Sequence, residues 1–67
     1  MVVWMGEIPK HCDICGKRLE KNFVDGKTIW GPWAIMCLEC HEKFGVGFGT
    51  GRGQMYEIRD KAVKIMG

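Results

Sequence analysis

Four cysteines carry the clearest chemistry of this chain, and they occur as two Cys-x-x-Cys pairs. Cys12 and Cys15 form the first pair and Cys37 and Cys40 the second, with 21 residues between them. A two-residue gap lets both thiolates of a pair reach the same ion, and a second pair from a distant segment completes the tetrahedron that Zn²⁺ prefers. The spacing therefore predicts one structural zinc ion held by all four cysteines, with no coordination position left for catalysis.

The cysteines also leave other chemistries open. Four thiolates suit iron in a rubredoxin-like site, although Cys40 is followed by His41 rather than by the glycine of a second knuckle. Residues 37–41 match the haem-attachment pattern Cys-x-x-Cys-His, which would leave the first pair without a role. Two disulfides or a thioredoxin-type redox pair are further alternatives, but neither an export signal nor a βαβ pattern accompanies them. We expect His11 to face solvent, and His41 to donate a hydrogen bond near the metal or lie at the surface rather than bind it.

The length of 67 residues limits the chain to a single domain, residues 1–67, whose apolar core alone would be marginal. Such domains often need a metal, disulfides or a partner chain. The composition, 46% hydrophobic and 27% charged, argues against overall disorder. These values exclude a multidomain enzyme, and we expect neither a deep active-site cavity nor a small-molecule substrate.

The net charge limits the electrostatic case for nucleic acid. Ten Lys and Arg against eight Asp and Glu leave +2, and four thiolates (−4) with one Zn²⁺ (+2) bring the loaded chain to about zero. Nucleic-acid-binding proteins usually carry a clear basic excess. The sequence has neither a basic leader nor an apolar run long enough for a bilayer, so we expect a cytoplasmic protein without a membrane partner.

The predicted zinc core covers residues 10–45, and an apolar strand or arm that ends at Pro9 precedes it. Gly16 follows the first cysteine pair, where a positive φ would point backbone amides at thiolate sulfur. The sequence therefore predicts a tight metal-binding turn at this position.

Strands and a helix are predicted around the second cysteine pair. Residues 23–30 indicate a hairpin that turns at Asp25-Gly26, a strong two-residue turn signal. A short strand over residues 33–36 leads into a helix of about two turns over residues 37–44, and a glycine follows as a stop signal.

The segment 45–53 has glycine at every second position, and three hypotheses compete for it. It is a mobile surface loop, or an extended segment whose glycine face lies against Trp30 or Trp33, or an anion cradle in which Arg52 pairs with phosphate. The tail, residues 54–67, is ambiguous, because its apolar residues fit one face of a short helix; these are Ile58, Ala62 and Ile65.

Partner contacts are predicted from aromatic and basic side chains. The simplest interpretation places Trp4, Trp30 and Trp33 in the core, and the alternative leaves one or two of them exposed for stacking. The basic residues of the tail form either a solvated face or a phosphate patch; they are Arg59, Lys61 and Lys64. The candidate contact residues are Arg52, Lys61, Lys64, Trp30 and Trp33.

The order of a glycine-containing knuckle, a hairpin and a helix carrying the second cysteine pair resembles the treble-clef group of zinc fingers over residues 12–44. The second pair with His41 and Lys43 is also similar to the Cys-x-x-Cys-His-x-x-Lys ending of HNH endonucleases, with the lysine one residue early. That family needs a general-base histidine on its hairpin, where Gly26 follows Asp25 here. The resemblance therefore implies the scaffold without the catalysis.

Most of the chain is similar to small zinc-finger proteins encoded by bacteriophages and prophages. The segments that carry this similarity are residues 23–28, 31–37, 40–41 and 45–56. The resemblance implies a viral or mobile-element origin and no known activity.

The sequence thus predicts a small zinc-stapled α+β domain of treble-clef type. We expect a non-enzymatic binding module whose partner is DNA, RNA or another protein. The alternatives are an HNH-like nuclease relative, which would be an enzyme, and an oligomerisation module.

Overall fold

The computed structural model describes residues 2–67, so Met1, the first residue of the predicted arm, lies outside the described part of the chain. Over residues 2–67 the elements are β1 (Asn22–Lys27), β2 (Trp33–Met36), α1 (Leu38–Phe44), β3 (Gly53–Ile58) and β4 (Ala62–Met66). The strands form an antiparallel sheet in the order β2-β1-β3-β4, and α1 packs against β1 and β2. The predicted α+β class is confirmed, and β2 and α1 match the expected strand and helix.

The predicted turn at Asp25-Gly26 is wrong, because both residues lie inside the central strand β1. Asp25 pairs with Ile35 of β2, and Gly26 pairs with Gly53 of β3. An Asp-Gly turn requires a positive φ at the glycine, which Gly26 does not have. Gly26 instead permits close packing, since a Cβ there would lie 3.3 Å from the Gly53 Cα. The glycine therefore serves tight contact between strands rather than a change of direction.

The hairpin between β1 and β2 exists, but its connection lies at residues 28–32. The Thr28 backbone N–H and hydroxyl both donate to the Pro32 carbonyl, at 3.0 and 2.8 Å. Thr28 is buried, so these bonds satisfy its hydroxyl and close the connection. Trp30 lies within this connection and Trp33 directly after it.

The C-terminal tail forms the hairpin of β3 and β4 rather than a helix. Ile58 pairs with Ala62 across this hairpin. Ala62 is buried whereas Ile65 is exposed, so the apolar residues do not share one buried helical face. A helix this short is marginal by itself, whereas pairing with β1 satisfies the backbone of β3 along its length.

The N-terminal arm covers the outer edge of β4, which confirms the predicted strand or arm over its described residues. Trp4 N–H donates to the Ala62 carbonyl, and Lys64 N–H donates to the Val2 carbonyl, both at 2.8 Å. An open sheet edge invites pairing with other chains, and the arm occupies these positions on β4.

One of the three tryptophans, Trp4, is partly buried and packs against the core. Phe23 and Tyr56 stack at a centroid distance of 5.3 Å, and the Trp4 ring meets both edge-on at the same distance. Trp30 and Trp33, by contrast, are 60% and 46% exposed. Trp4 therefore packs on the core with part of its surface exposed, whereas Trp30 and Trp33 are exposed, as the alternative predicted.

Candidate metal centre

The first cysteine pair lies in a knuckle whose backbone is closed by its own hydrogen bonds. Cys12 N–H donates to the Lys17 carbonyl at 2.8 Å, and Gly16 N–H donates to the Cys12 carbonyl at 3.0 Å. Gly16 has a φ of 77°, as predicted for the residue after the second cysteine. Ile14 N–H lies 3.4 Å from the Cys12 Sγ, so the turn points an amide at the sulfur.

Asp13 ties this knuckle to the outer edge of β2. Its backbone N–H donates to the Ile35 carbonyl at 2.8 Å, and Ile35 N–H donates to its Oδ2 at 2.9 Å. Both edge groups of Ile35 are thereby satisfied, and the knuckle is held beside the strand that leads into Cys37. No local pattern indicates this contact, because Asp13 and Ile35 lie 22 residues apart in the sequence.

The second pair is positioned by the start of α1. Cys37 is the N-cap residue, with φ −72° and ψ 165°, and its carbonyl accepts from the His41 N–H at 3.0 Å. Cys40 lies in the first turn of the helix and is buried. Because a helix brings residues three apart to one side, the two sulfurs of this pair face the knuckle together.

The four sulfur atoms form a compact cluster. All four Sγ atoms lie within 4.8 Å of one another, and Cys15 Sγ lies 3.8 Å from Cys37 Sγ. A tetrahedral ion with metal–sulfur bonds of about 2.3 Å requires sulfur–sulfur separations of about 3.8 Å. A disulfide bond is near 2.05 Å, and all four cysteines are free. The arrangement therefore fits four ligands of one metal ion. The cysteines do not form the two disulfides of the alternative prediction in this structure.

Burial and hydrogen bonding act in opposite directions on the Cys12 thiol. Burial raises its pKa, whereas hydrogen bonds from three backbone amides and the Cys40 thiol bring the pKa down to about 6. The amides are those of Ile14, Cys15 and Cys37. Burial, the neighbouring thiols and the charge of Cys12 all raise the pKa of Cys40 above its ordinary value of 9.0. The charge of Cys12 therefore opposes the ionisation of Cys40, and a cation bound between the sulfurs would relieve that opposition.

His41 is not one of the clustered ligands. It is buried, its Nε2 lies 3.0 Å from the Gly47 carbonyl, and its ring lies 4.4 Å from that of Phe48. Since a carbonyl only accepts, Nε2 carries a hydrogen and donates it. His41 thus connects the glycine-rich segment to the helix, a role that the sequence pattern does not indicate. His11 is exposed, as predicted.

The predicted packing of the glycine-rich segment against Trp30 or Trp33 is wrong. Gly45 packs on His41 instead, because a Cβ at Gly45 would lie 2.7 Å from the His41 carbonyl oxygen. Beyond it, glycines with positive φ bend the chain rather than extend it; these are Gly47, Gly49 and Gly51. The amides that an anion cradle would need are in part committed within the segment: Gly49 N–H donates to Gly53, and Arg52 and Gly53 N–H donate to Gly49.

The predicted partner-contact residues fall into two groups. Lys27, the last residue of β1, pairs with Trp33 and donates its N–H to the Arg52 carbonyl at 2.8 Å. Arg52 and Trp33 therefore lie at the end of the sheet where β1 leads into the connection that contains Trp30.

The remaining two contact residues lie elsewhere. Lys61 follows β3 whereas Arg52 precedes it, and a strand of this length separates its ends by about 17–20 Å. Lys64 pairs with Tyr56 in the body of the sheet. The five predicted contact residues thus do not form one patch.

No helix among residues 2–67 has the length and apolar character needed to cross a membrane. In comparisons with known proteins, no family model, curated protein or solved structure matches this chain. What can be said about its function therefore depends on the geometry of its own residues.

Proposed function

We propose that the chain is a zinc-stapled binding module of treble-clef type, in which one structural Zn²⁺ is held by Cys12, Cys15, Cys37 and Cys40. The observation that carries the proposal is the cluster of four sulfurs within 4.8 Å of one another. Four thiolates complete the tetrahedron of a structural site. Zinc is favoured over iron because Zn²⁺ needs no redox partner and is the common occupant of paired Cys-x-x-Cys sites.

The order of elements supports the treble-clef assignment. A knuckle carries the first pair, the hairpin of β1 and β2 follows, and α1 carries the second pair at its start. The knuckle is bonded to the hairpin through Asp13 and β2, and it meets the helix directly where Lys17 pairs with Glu39 at 3.7 Å. Binding of one ion would therefore close the loop between the pairs and fix the relative positions of all three elements.

The absence of catalysis is part of the proposal. A structural site with four protein ligands has no open coordination position for a substrate or an activated water. The histidine of the second pair, His41, donates to the Gly47 carbonyl within the fold and is thereby engaged structurally. We therefore assign the chain a role in binding nucleic acid or protein rather than in a reaction.

Metal titration tests the site. We expect one Zn²⁺ per chain by native mass spectrometry, and Co²⁺ substitution should produce the visible absorption of tetrahedral thiolate coordination. Iron found in place of zinc in freshly purified protein would overturn the metal assignment. A chelator should collapse the dispersed amide NMR spectrum, and a spectrum that stays dispersed without metal would overturn the structural role.

An endonuclease assay tests the absence of catalysis. The zinc-loaded chain is incubated with supercoiled plasmid and Mg²⁺, and we expect no nicking above that of a matched Cys40→Ser preparation. Cleavage by the loaded chain that the variant and a His41→Ala chain both lack would favour the nuclease alternative.

A further inference from the structure

The end of the sheet away from the cysteines carries two exposed indoles. We call Lys27, Trp30, Trp33 and Arg52 the aromatic end. Trp30 and Trp33 are 60% and 46% exposed, although aromatic side chains of small domains are normally the main core residues. Trp33 begins β2, whose other end leads to Cys37, so the aromatic end and the sulfur cluster lie at opposite ends of this strand.

The ring of Trp30 packs on the end of the helix. It stacks on Phe44 at a centroid distance of 4.9 Å and an interplanar angle of 29°, and Phe44 is the last residue of α1. The carbonyl of Phe44 accepts from the Ile29 N–H at 2.8 Å. The helix thus supports one side of the indole, and more than half of its surface stays open.

Cations accompany these rings. Lys27 is the cross-strand neighbour of Trp33, and its N–H donates to the Arg52 carbonyl. Both cationic side chains are exposed, and over residues 2–67 neither of them forms an ion pair. The nearest acidic residue along β1 is Asp25, which is half-buried. An anionic partner would therefore meet two unpaired cations beside two open aromatic faces.

We propose that the aromatic end binds single-stranded nucleic acid, with bases stacked on Trp30 and Trp33 and phosphates contacted by Lys27 and Arg52. The inference rests on the binding role proposed above and names its ligand. Stacking on aromatic rings combined with cations is how proteins bind single strands without reading sequence. A duplex keeps its base faces stacked inside, and an acidic peptide would satisfy the cations but offer no flat partners for the indoles.

Fluorescence anisotropy with the zinc-loaded full chain tests the proposal. The probe is a labelled mixed-sequence oligodeoxynucleotide of about twelve nucleotides, within the site sizes of single-strand binders. We expect saturable binding that weakens with salt, accompanied by quenching of tryptophan fluorescence, and weaker binding to the corresponding duplex. Trp33→Ala should weaken binding by about fivefold or more, the lower range for one stacked base.

Charge variants locate the site. Lys27→Gln combined with Arg52→Gln should weaken binding and lower the salt slope by about 1.4, since each phosphate contact on a single strand contributes about 0.7. Lys61→Gln combined with Lys64→Gln removes the same charge from residues outside the aromatic end. This matched control should change affinity far less, and an equal loss in the control would overturn the placement.

Two controls separate this proposal from the proposed zinc module. Each variant must bind Zn²⁺ and give a dispersed NMR spectrum. Trp30→Ala is a second variant of the stacking surface. If it does not fold, Trp30→Leu takes its place, because leucine retains an apolar contact with Phe44. If the wild-type chain is zinc-loaded and folded but the oligonucleotide does not bind, the inference fails while the zinc module stands. Binding of a poly-glutamate peptide with no binding of the oligonucleotide would also overturn it, in favour of an acidic protein partner.

Discussion

The sulfur cluster and the aromatic end differ in burial, in charge and in how they are positioned. Three of the four cysteines are buried and converge on one point, whereas both tryptophans of the aromatic end are exposed. The cysteines are positioned by short local motifs, a turn and a helix start. Trp30 and Trp33 owe their placement to the closure of a hairpin and to packing on the far end of α1. One region is thus a buried cluster able to hold an ion, and the other is an exposed aromatic surface.

The two regions are connected through α1. Cys40 lies in its first turn and Phe44, which supports Trp30, is its last residue. A metal ion bound by the cysteines would fix the start of the helix and, through it, the position of Phe44 under the indole. We therefore expect an asymmetry between the two regions. Substitution of a cysteine should disturb the structure of the aromatic end, whereas substitution of Trp30 or Trp33 should leave the metal site intact.

Loss of a buried ligand should have the largest effect. Structural zinc contributes roughly 10–16 kcal/mol of apparent free energy in small fingers, more than the whole stability of most small domains. We expect Cys40→Ser to lose the dispersed NMR spectrum at neutral pH and to change the fluorescence of Trp30 as well. Leu38→Ser, at a 41% exposed residue of the same helix, is the control and should keep the fold.

Gly45→Ala should cause the next largest loss of stability, because it adds a side chain at the junction between α1 and the glycine-rich segment. The new Cβ would lie 2.7 Å from the His41 carbonyl oxygen, and overpacking of this kind costs about 1–3 kcal/mol. Gly31→Ala meets no atom within 4 Å, but its φ of 107° is one that L side chains rarely adopt, so this variant should lose about 1–3 kcal/mol through backbone strain alone. Chemical unfolding measures both losses, and a Gly45→Ala chain as stable as wild type would contradict the packing role of Gly45.

Asp13→Ala should have a smaller effect that is confined to the metal end. It removes the Oδ2 acceptor of the Ile35 N–H, and losing such a hydrogen bond costs about 1 kcal/mol of stability. Zinc affinity, measured by competition with a chelator, should fall because the knuckle is held less firmly beside β2. Asp13→Asn keeps a side-chain oxygen in the same place and should lose less, and an Asn variant as weak as the Ala variant would point to charge instead.

Asp25→Asn should have the smallest effect on the free energy of unfolding, and we expect this variant to be stabilising. Burial raises the pKa of this carboxyl above its ordinary value of 3.8, so the folded state favours the protonated form. The contribution of the protonated carboxyl to folding stability is complete when the pH is below the ordinary pKa. It is lost as the pH rises through the raised pKa of the folded state. At neutral pH the wild type therefore carries an ionised carboxylate at a cost that asparagine avoids.

Chemical unfolding in excess zinc measures this effect. Asp25→Asn should be the more stable chain at neutral pH, and its advantage should narrow as the pH falls. Asp60→Asn, at an exposed position in the turn between β3 and β4, is the matched control and should change stability less. An Asp25→Asn chain less stable than wild type at neutral pH would indicate an interaction of the carboxylate that favours the fold.

Local patterns were sufficient for the metal end. The cysteine spacing, Gly16 after the first pair and the helix that begins at the second pair were all predicted, and the structure places them as expected. Each depends on a few neighbouring residues, because turn geometry and helix starts are decided over short distances. The predicted turn at Asp25-Gly26 failed for the opposite reason: Gly26 is needed for contact with a strand that lies far along the chain.

By itself, the sequence determined which four cysteines could hold one metal ion and the approximate bounds of β2 and α1. Only the tertiary structure decided that the tail pairs as strands, that Trp4 packs on the core while Trp30 and Trp33 are exposed, and that Arg52 lies apart from Lys61. The physical reason is the range of the interactions. Ligand spacing is a property of a few consecutive residues, whereas strand order and burial depend on which distant segments satisfy one another's backbone and apolar surface.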